Sequence, residues 1–366
     1  MREAYFKGEN LSERARKNLF ILDAIRRRGP ISKTDISSLI GLNVVTISNY
    51  IDDFLRHKIV FEKEFDVSKG GRRPLLLDLN TSAGYAVGIG VNLLNTIGVV
   101  TDLSGKIVAK VKKDKTASTS KDVVDSIMAV AAELLKNTKA DASQIKGIGI
   151  GVAGVVNADR EKVRWPERVG ESFHYVDVTV PLKDIFEREF HFPVMVENDA
   201  TLACFGEQWL ALESDVKDLI YLFSGVGCGL MFNSEIYHGA SGCAGEIAIH
   251  SDRRETPYFL ERWQADLGIH EDYLRAVKWS KDKKASDAGA QEVTLAKIFE
   301  MAKKGESPAA DIIRQAGWRL GVRAAHLINL LNPEMVIIGG GIEEAGLSFL
   351  EEVKAAVSEW CFEEAA

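Results

Sequence analysis

Cysteine and long apolar runs are what this 366-residue chain has least of. Cys204, Cys228, Cys243 and Cys361 are scattered, with no Cys-x-x-Cys pair and no even framework. A disulfide scaffold is thereby excluded, and reduced thiols that mostly fill cores are expected. No apolar stretch approaches the ~18 residues that span a bilayer, and the opening MREAYFKGENLSERARKN has no apolar segment that could act as a signal peptide. The expectation is a cytoplasmic protein with no membrane partner. A formal net charge of −7 also excludes a whole-chain coat for nucleic acid.

What is present is globular: 46% hydrophobic and 27% charged residues, with enough chain for two or three domains. The charge is uneven. Residues 1–80 hold 15 Lys and Arg against 11 Asp and Glu, a net +4, and the remainder nets −11. A mildly basic head on an acidic body suits a DNA-reading module joined to something else.

In the head, residues 1–79, Ala15, Leu19, Leu22 and Ile25 recur at helical spacing from Ser12 to Arg28, and Gly29-Pro30 stops the run. Ser32 caps a short second helix with Asp35 at its third position, and Gly41 ends it where a turn of positive φ favours glycine. Asn43 caps a third helix to about His57. On it Ile47, Ile51, Phe54 and Leu55 point inward. Helix, glycine turn, helix is helix-turn-helix spacing. Ile59–Phe61 and Leu75–Leu77 read as two strands joined by a wing whose tip carries Arg72 and Arg73, suited to phosphates or a narrow minor groove. Val44, Val45, Ser48 and Asn49 are left for the groove face: Asn49 suits a bidentate adenine contact, the valines thymine methyls. One such head covers a half-site, so a homodimer or higher oligomer is expected. The alternative is a three-helix module that contacts protein.

The body changes to strand-turn-strand units. Tyr85–Val91, Thr96–Thr101 and Lys106–Val111 form a meander, Lys121–Leu135 is helical by period, and Ile145–Val152 is a glycine-rich buried strand. Asp218–Phe223, Cys228–Phe232 and Glu235–Tyr237 form a second meander. Two such α/β lobes facing across a cleft would place a ligand at their interface.

Five stretches carry a resemblance: Gly149–Val156; Val196-Glu197-Asn198-Asp199-Ala200 with Gly206-Glu207; Gly225–Gly229; His238–Glu246; and Asn332–Gly341. In this order, behind such a head, they resemble the ROK family of repressors and sugar kinases, with its actin-like ATPase fold. The resemblance implies a winged helix-turn-helix domain over 1–79. It implies a first α/β lobe over 80–205, to which a C-terminal helix at 345–366 returns, and a second over 206–344 with a dimerisation surface. It also implies that Asp199 stands where the family's catalytic base stands, with Asn198, Glu246 and Glu261 as sugar ligands. A helix cap is the other reading of Asn198-Asp199, and a plain surface role the other reading of Glu261.

Departures from the family pattern separate kinase from sensor. Where kinases have an Asp, two Gly and a Thr in the first phosphate hairpin, this chain has Gly90, Asn92, Leu93 and Leu94, which removes the close backbone approach and the hydroxyl. The second phosphate turn keeps Ser224, Gly225 and Gly227, although Phe223 replaces a glycine. The nucleotide-side Gly339, Gly340 and Gly341 remain, for phosphate or for close packing. The family's zinc His is Ile249, one residue from His250, and no cysteine follows over Ser251–Phe259, so no metal is expected. The sugar loop Trp165–Phe173 lacks the family Asn, which leaves Glu167, Arg168 or Glu171 to read something other than a plain hexose.

The resulting expectation is a sugar-responsive regulator that binds operator DNA, a repressor of carbohydrate-use genes with a degraded kinase-like sensing body and no cofactor. The alternative is an ATP-dependent hexose or N-acetylhexosamine kinase using Asp199 as base with ATP and Mg. A third reading is a constitutive DNA-binding scaffold whose body only dimerises.

Overall fold

The computed structural model describes residues 12–64, 75–114, 119–157, 161–169, 174–211, 216–247, 266–279 and 293–364. The head forms where local chemistry directs it. Ser12 caps α1 (Glu13–Arg28), Ser32 caps α2 (Lys33–Ile40) and Asn43 caps α3 (Val44–Arg56), each side chain accepting from the backbone N–H three residues on. Gly41 ends α2 at φ 78°. The short β1 (Ile31–Ser32), β2 (Val60–Glu64) and β3 (Leu75–Leu79) form an antiparallel sheet in the order β1-β3-β2. Ile21, Ile25, Ile36, Ile47, Ile51, Phe54 and Leu77 close a separate core beneath it. The tip between β2 and β3, with Arg72 and Arg73, lies outside the described residues.

The first lobe opens with β4 (Tyr85–Val91), β5 (Asn95–Asp102) and β6 (Ile107–Asp114), followed by α4 (Ser120–Asn137) and β7 (Ile145–Val152). A side sheet of β8 (Val155–Val156), β9 (Val163–Val169) and β10 (His174–Val180) precedes α5 (Leu182–Phe190) and β11 (Val194–Asn198). The main sheet runs β11-β7-β4-β5-β6, with β7 parallel to β4 and β11 parallel to β7. After α6 (Asp199–Gly206), which continues as a π turn over Glu207–Ala211, the second lobe repeats the plan. Its meander is β12 (Leu219–Phe223), β13 (Gly227–Phe232) and β14 (Glu235–Ile236), and β15 (Met335–Gly339) lies parallel against β12. Helices α7 (Ile269–Trp279), α8 (Leu295–Lys303), α9 (Ala309–Leu331) and α10 (Leu347–Trp360) complete it. In both lobes an antiparallel meander has a parallel strand along its first member, so the duplication read from sequence is present in the topology. Among the described residues no helix is long and apolar enough to cross a membrane. Cys204 and Cys228 are buried, and desolvation pushes both thiols up to about 12.

Two expected borders move. The helix at 345–366 does not return to the first lobe: Phe349 and Val353 of α10 are buried in the second lobe's core with Leu320, Ala324 and Ile328 of α9. The reason is a groove of small residues on α9. A Cβ at Gly321 would stand 2.6 Å from the Val353 carbonyl oxygen, and one at Gly317 2.5 Å from that of Phe349. Backbones approach that closely only where side chains are absent. The border at 205/206 also falls inside a continuous helix, because Cys204 packs in one cluster with Leu219, Tyr221 and Met231 of the second lobe.

Helix α6 is seated between the lobes by glycine. A Cβ at Gly151 of β7 would lie 3.2 Å from Leu202, one at Gly227 3.2 Å from Ala200, and one at Gly229 of β13 2.2 Å from the Ala200 carbonyl oxygen. Gly206, by contrast, has open space around it. Gly229→Ala is therefore expected to destabilise the body by about 2–3 kcal/mol through overpacking. Gly206→Ala should stabilise it by roughly 0.5–1 kcal/mol through helix propensity. Urea unfolding of both variants checks the pair, and equal effects of the same sign would contradict this seating of α6.

Candidate functional site

Strands β7 and β11 are parallel and end side by side, with Val152 opposite Asn198. The chain leaves β11 directly into α6, so Asn198 is the N-cap and Asp199 the first helical residue. The Asn198 side-chain oxygen accepts from the Thr201 backbone N–H at 3.1 Å, and its Nδ2 donates to the Gly154 carbonyl at 3.1 Å. Asn198 thus caps the helix and ties it to the β7–β8 turn at once. Asp199 Oδ1 accepts from the Ala200 N–H at 2.8 Å. From the opposite lobe, Gly227 pairs with Glu246 through one antiparallel bridge, and Gly227 itself faces Ala200. Asn198, Asp199 and Glu246, singled out from sequence, are brought to one end of α6.

Glu246 is held where desolvation raises its carboxyl above the ordinary glutamate value, while the Arg164 charge acts in the opposite direction. The residue keeps an open face to solvent, so screening keeps the stability effect of this shift small. Gly245 precedes it at φ 87° and is folded against Cys228, which fixes where the Glu246 backbone stands. Two further groups complete the cluster. Glu197 accepts the Asn198 backbone N–H through Oε1 at 2.9 Å and lies 3.1 Å from His238 Nε2 through Oε2. Because Glu197 is on β11 and His238 follows β14, that pair links the two lobes beside the site. Arg164, Glu197 and His238 had no assigned role from sequence. Arg164 carries no local motif, and the other two were visible only as members of longer motifs. Glu261 and His250 lie outside the described residues, as do the side chains of Glu167, Arg168 and Glu171.

The phosphate-turn residues meet each other. The Ser224 hydroxyl donates to the Gly340 carbonyl at 2.9 Å, and the Leu93 backbone N–H donates to the same oxygen at 2.9 Å. A Cβ on Gly341 would lie 3.2 Å from Leu93 Cβ, and one on Gly339 would overlap the Tyr221 hydroxyl. The Gly341 N–H is taken by the Glu343 carboxylate at 2.7 Å. Gly340 and Gly341 have φ of 83° and 100°. Close packing and backbone conformation therefore account for Gly339, Gly340 and Gly341 without a phosphate, and Leu93 and Leu94 pack onto the second lobe's core. Gly225 accepts a long bond, 3.4 Å, from Arg323.

On the head, Val45 and Asn49 are exposed, Val44 is 40% exposed and Ser48 half-buried, so all four lie on the accessible side of α3 while Ile47 and Ile51 are buried.

Two facing lobes with a carboxylate-bearing helix at their junction define a sugar-kinase-like body with a helical head. The chain belongs to the ROK family: the model of that family matches residues 85–366. It is 29% identical over 360 residues to the xylose repressor of Caldicellulosiruptor bescii, covering 94% of this chain and 88% of that one. Among solved structures, a ROK family transcriptional regulator homologous to the E. coli MLC protein superposes with a TM-score of 0.69 at 21% identity, covering 95% of this chain and 89% of that one. A ROK family glucokinase from Streptomyces griseus, solved with glucose and AMPPNP, gives a TM-score of 0.61 at 24% identity over 76% of this chain and 89% of that one.

The raised Glu246 carboxyl sets a pH signature. A folded state that binds a proton more tightly than the unfolded state loses stability as pH rises through the ordinary glutamate value, and the penalty is constant above the folded value. Glu246→Gln should therefore raise the melting temperature slightly at pH 7 and leave it unchanged at about pH 3.5, below the usual glutamate range. Melting scans at the two pH values check this, and a gain confined to the lower one would contradict the assigned environment.

Proposed function

We propose that this protein is a sugar-responsive DNA-binding repressor whose kinase-like body senses a small sugar without phosphorylating it. One observation carries the reading: the match to a xylose repressor runs through head and body alike. The glucokinase superposition, by comparison, covers 76% of the chain. The head is read as a winged helix-turn-helix, with Val44, Val45, Ser48 and Asn49 of α3 facing the major groove and Arg72 and Arg73 anchoring phosphates. Operator DNA and the sugar are the partners, and the second lobe supplies the surface that pairs two heads on a two-fold operator.

In the cleft, Asp199 and Glu246 offer carboxylate acceptors to sugar hydroxyls, and Asn198 fixes the start of α6. Glu261 is kept as a further sugar contact from the family pattern. No zinc and no nucleotide is required. The kinase alternative draws on Asp199, which stands at a helix start where a base would be needed. It is the weaker reading, because the Ser224 hydroxyl and the Leu93 amide already serve the Gly340 carbonyl and a leucine stands in the first phosphate turn.

Sugar and DNA binding are linked through one equilibrium, so a coupling of about 1–3 kcal/mol gives a roughly 5–150-fold change in DNA affinity. The expected outcome with Asp199→Ala is loss of the sugar response with DNA binding retained, measured by operator titration with and without sugar. ADP release with ATP-Mg and a panel of hexoses, pentoses and N-acetylhexosamines, using Asp199→Asn as blank, is expected to show no turnover. Sugar-dependent turnover that vanishes in the blank would replace this reading with the kinase.

A further inference from the structure

We propose that α6 couples the cleft to the head, and that Trp209 with Asp23, Arg26 and Arg27 is the joint at its far end; this rests on the sugar-responsive repressor reading. One continuous helical segment begins at Asp199 and reaches Trp209 ten residues later, about 15 Å at the usual rise. Its first turn belongs to the cleft. Its last described turn meets the head, because the Trp209 carbonyl accepts from Arg26 Nη2 at 3.0 Å and from Arg27 Nη2 at 2.7 Å. The Arg26 guanidinium lies 5.1 Å from the Trp209 ring centroid. Asp23 holds both arginines, at 2.8 and 3.0 Å.

The chemistry suits a joint rather than an incidental surface contact. The Trp209 carbonyl stands toward the C-terminal end of the described helical segment, the negative end of its dipole, where two cations are favoured. The side chains of Asp23, Arg26 and Arg27 are only 12–24% exposed, so salt screens them weakly. Guanidinium bonds are directional, and a shift of the carbonyl must turn the arginines or break the bonds. The arginines sit in the last turn of α1, whose Ile21 and Ile25 pack in one core with Ile36 of α2 and Ile47 and Ile51 of α3. A displacement of Trp209 therefore passes to the helix that presents Val44, Val45, Ser48 and Asn49.

The near end is equally constrained. Gly151 of the first lobe and Gly227 and Gly229 of the second all approach α6 within contact distance. Closure of one lobe toward the other around a sugar on Asp199 cannot leave this helix where it was, since packed interiors repack discretely rather than compress. A second contact steadies the joint: the Leu210 side chain packs at Gly105 in the β5–β6 turn, next to Leu103, which packs against the head's core.

The test uses the full chain, a DNA duplex enriched by the protein itself from a random pool, and D-xylose, D-glucose and N-acetyl-D-glucosamine as probes. Duplex affinity is measured with and without each sugar, and sugar affinity without DNA, in wild type, in Trp209→Ala and in the double variant Arg26→Lys, Arg27→Lys. The lysines keep both charges and lose the forks; the alanine keeps the carbonyl and loses the ring. Both variants are expected to bind sugar as wild type does, while the sugar-induced change in duplex affinity falls from the roughly 5–150-fold range to less than about 2-fold. If one variant fails to fold, the other decides. A responsive wild type whose variants respond equally overturns the joint alone. A wild type that responds to none of the three sugars overturns the repressor reading and the joint with it.

Discussion

Helix α6 can lie against both lobes only because glycine is present where each sheet meets it. Gly151 admits Leu202 on the first lobe's side, and Gly229 admits the Ala200 backbone on the second's. The lobes therefore share a helix instead of merely facing across a gap. Asn198 begins that helix with a cap that also grips the Gly154 carbonyl, so the end of β11, the start of α6 and the β7–β8 turn form one hydrogen-bonded unit. Glu246 reaches the same place through its bridge to Gly227. Asn198 and Asp199 stand on β11 and α6, which also carry the buried Val196, Ala200 and Cys204, and such backing is what lets a side-chain constellation keep its geometry.

The family the chain belongs to includes both repressors and kinases, and the proposed sensing role draws on a local difference. A kinase turn must leave amides and a hydroxyl free for phosphate. In this chain Leu93, Ser224 and Glu343 are all engaged with the Gly340–Gly341 backbone. The three glycines remain because Tyr221, Ser224 and Leu93 crowd them. Close packing is thus enough to require these glycines, and the motif's presence alone is no argument for catalysis.

Much of the fold was legible in the sequence because its signals were local. Ser12, Ser32, Asn43 and Gly41 set the head's helix limits through contacts within three or four residues, and the meander strands lie within a residue or two of where alternation put them, β6 running three residues further. Asn198, Asp199 and Glu246 were found through motif order. What escaped was non-local. The partner of α10 depends on Gly317 and Gly321, whose part shows only once a second helix is laid against them. Arg26 and Arg27 stand in the last turn of α1, and nothing along the chain relates them to a carbonyl 182 or 183 residues away. Arg164 likewise gains meaning only once Glu246 stands near it.

In the proposed coupling, helix α6 answers to both the sugar site and the head. Amide hydrogen exchange on the DNA-free protein, with and without a saturating sugar that binds it, tests this most directly, since it reports local opening along the whole segment. Altered protection is expected at residues 198–201, at 207–211 and in the last turn of α1, with no comparable change in the head's β1–β3 pairing. Altered protection confined to the cleft residues, with α1 and the Trp209 turn unchanged, would contradict it.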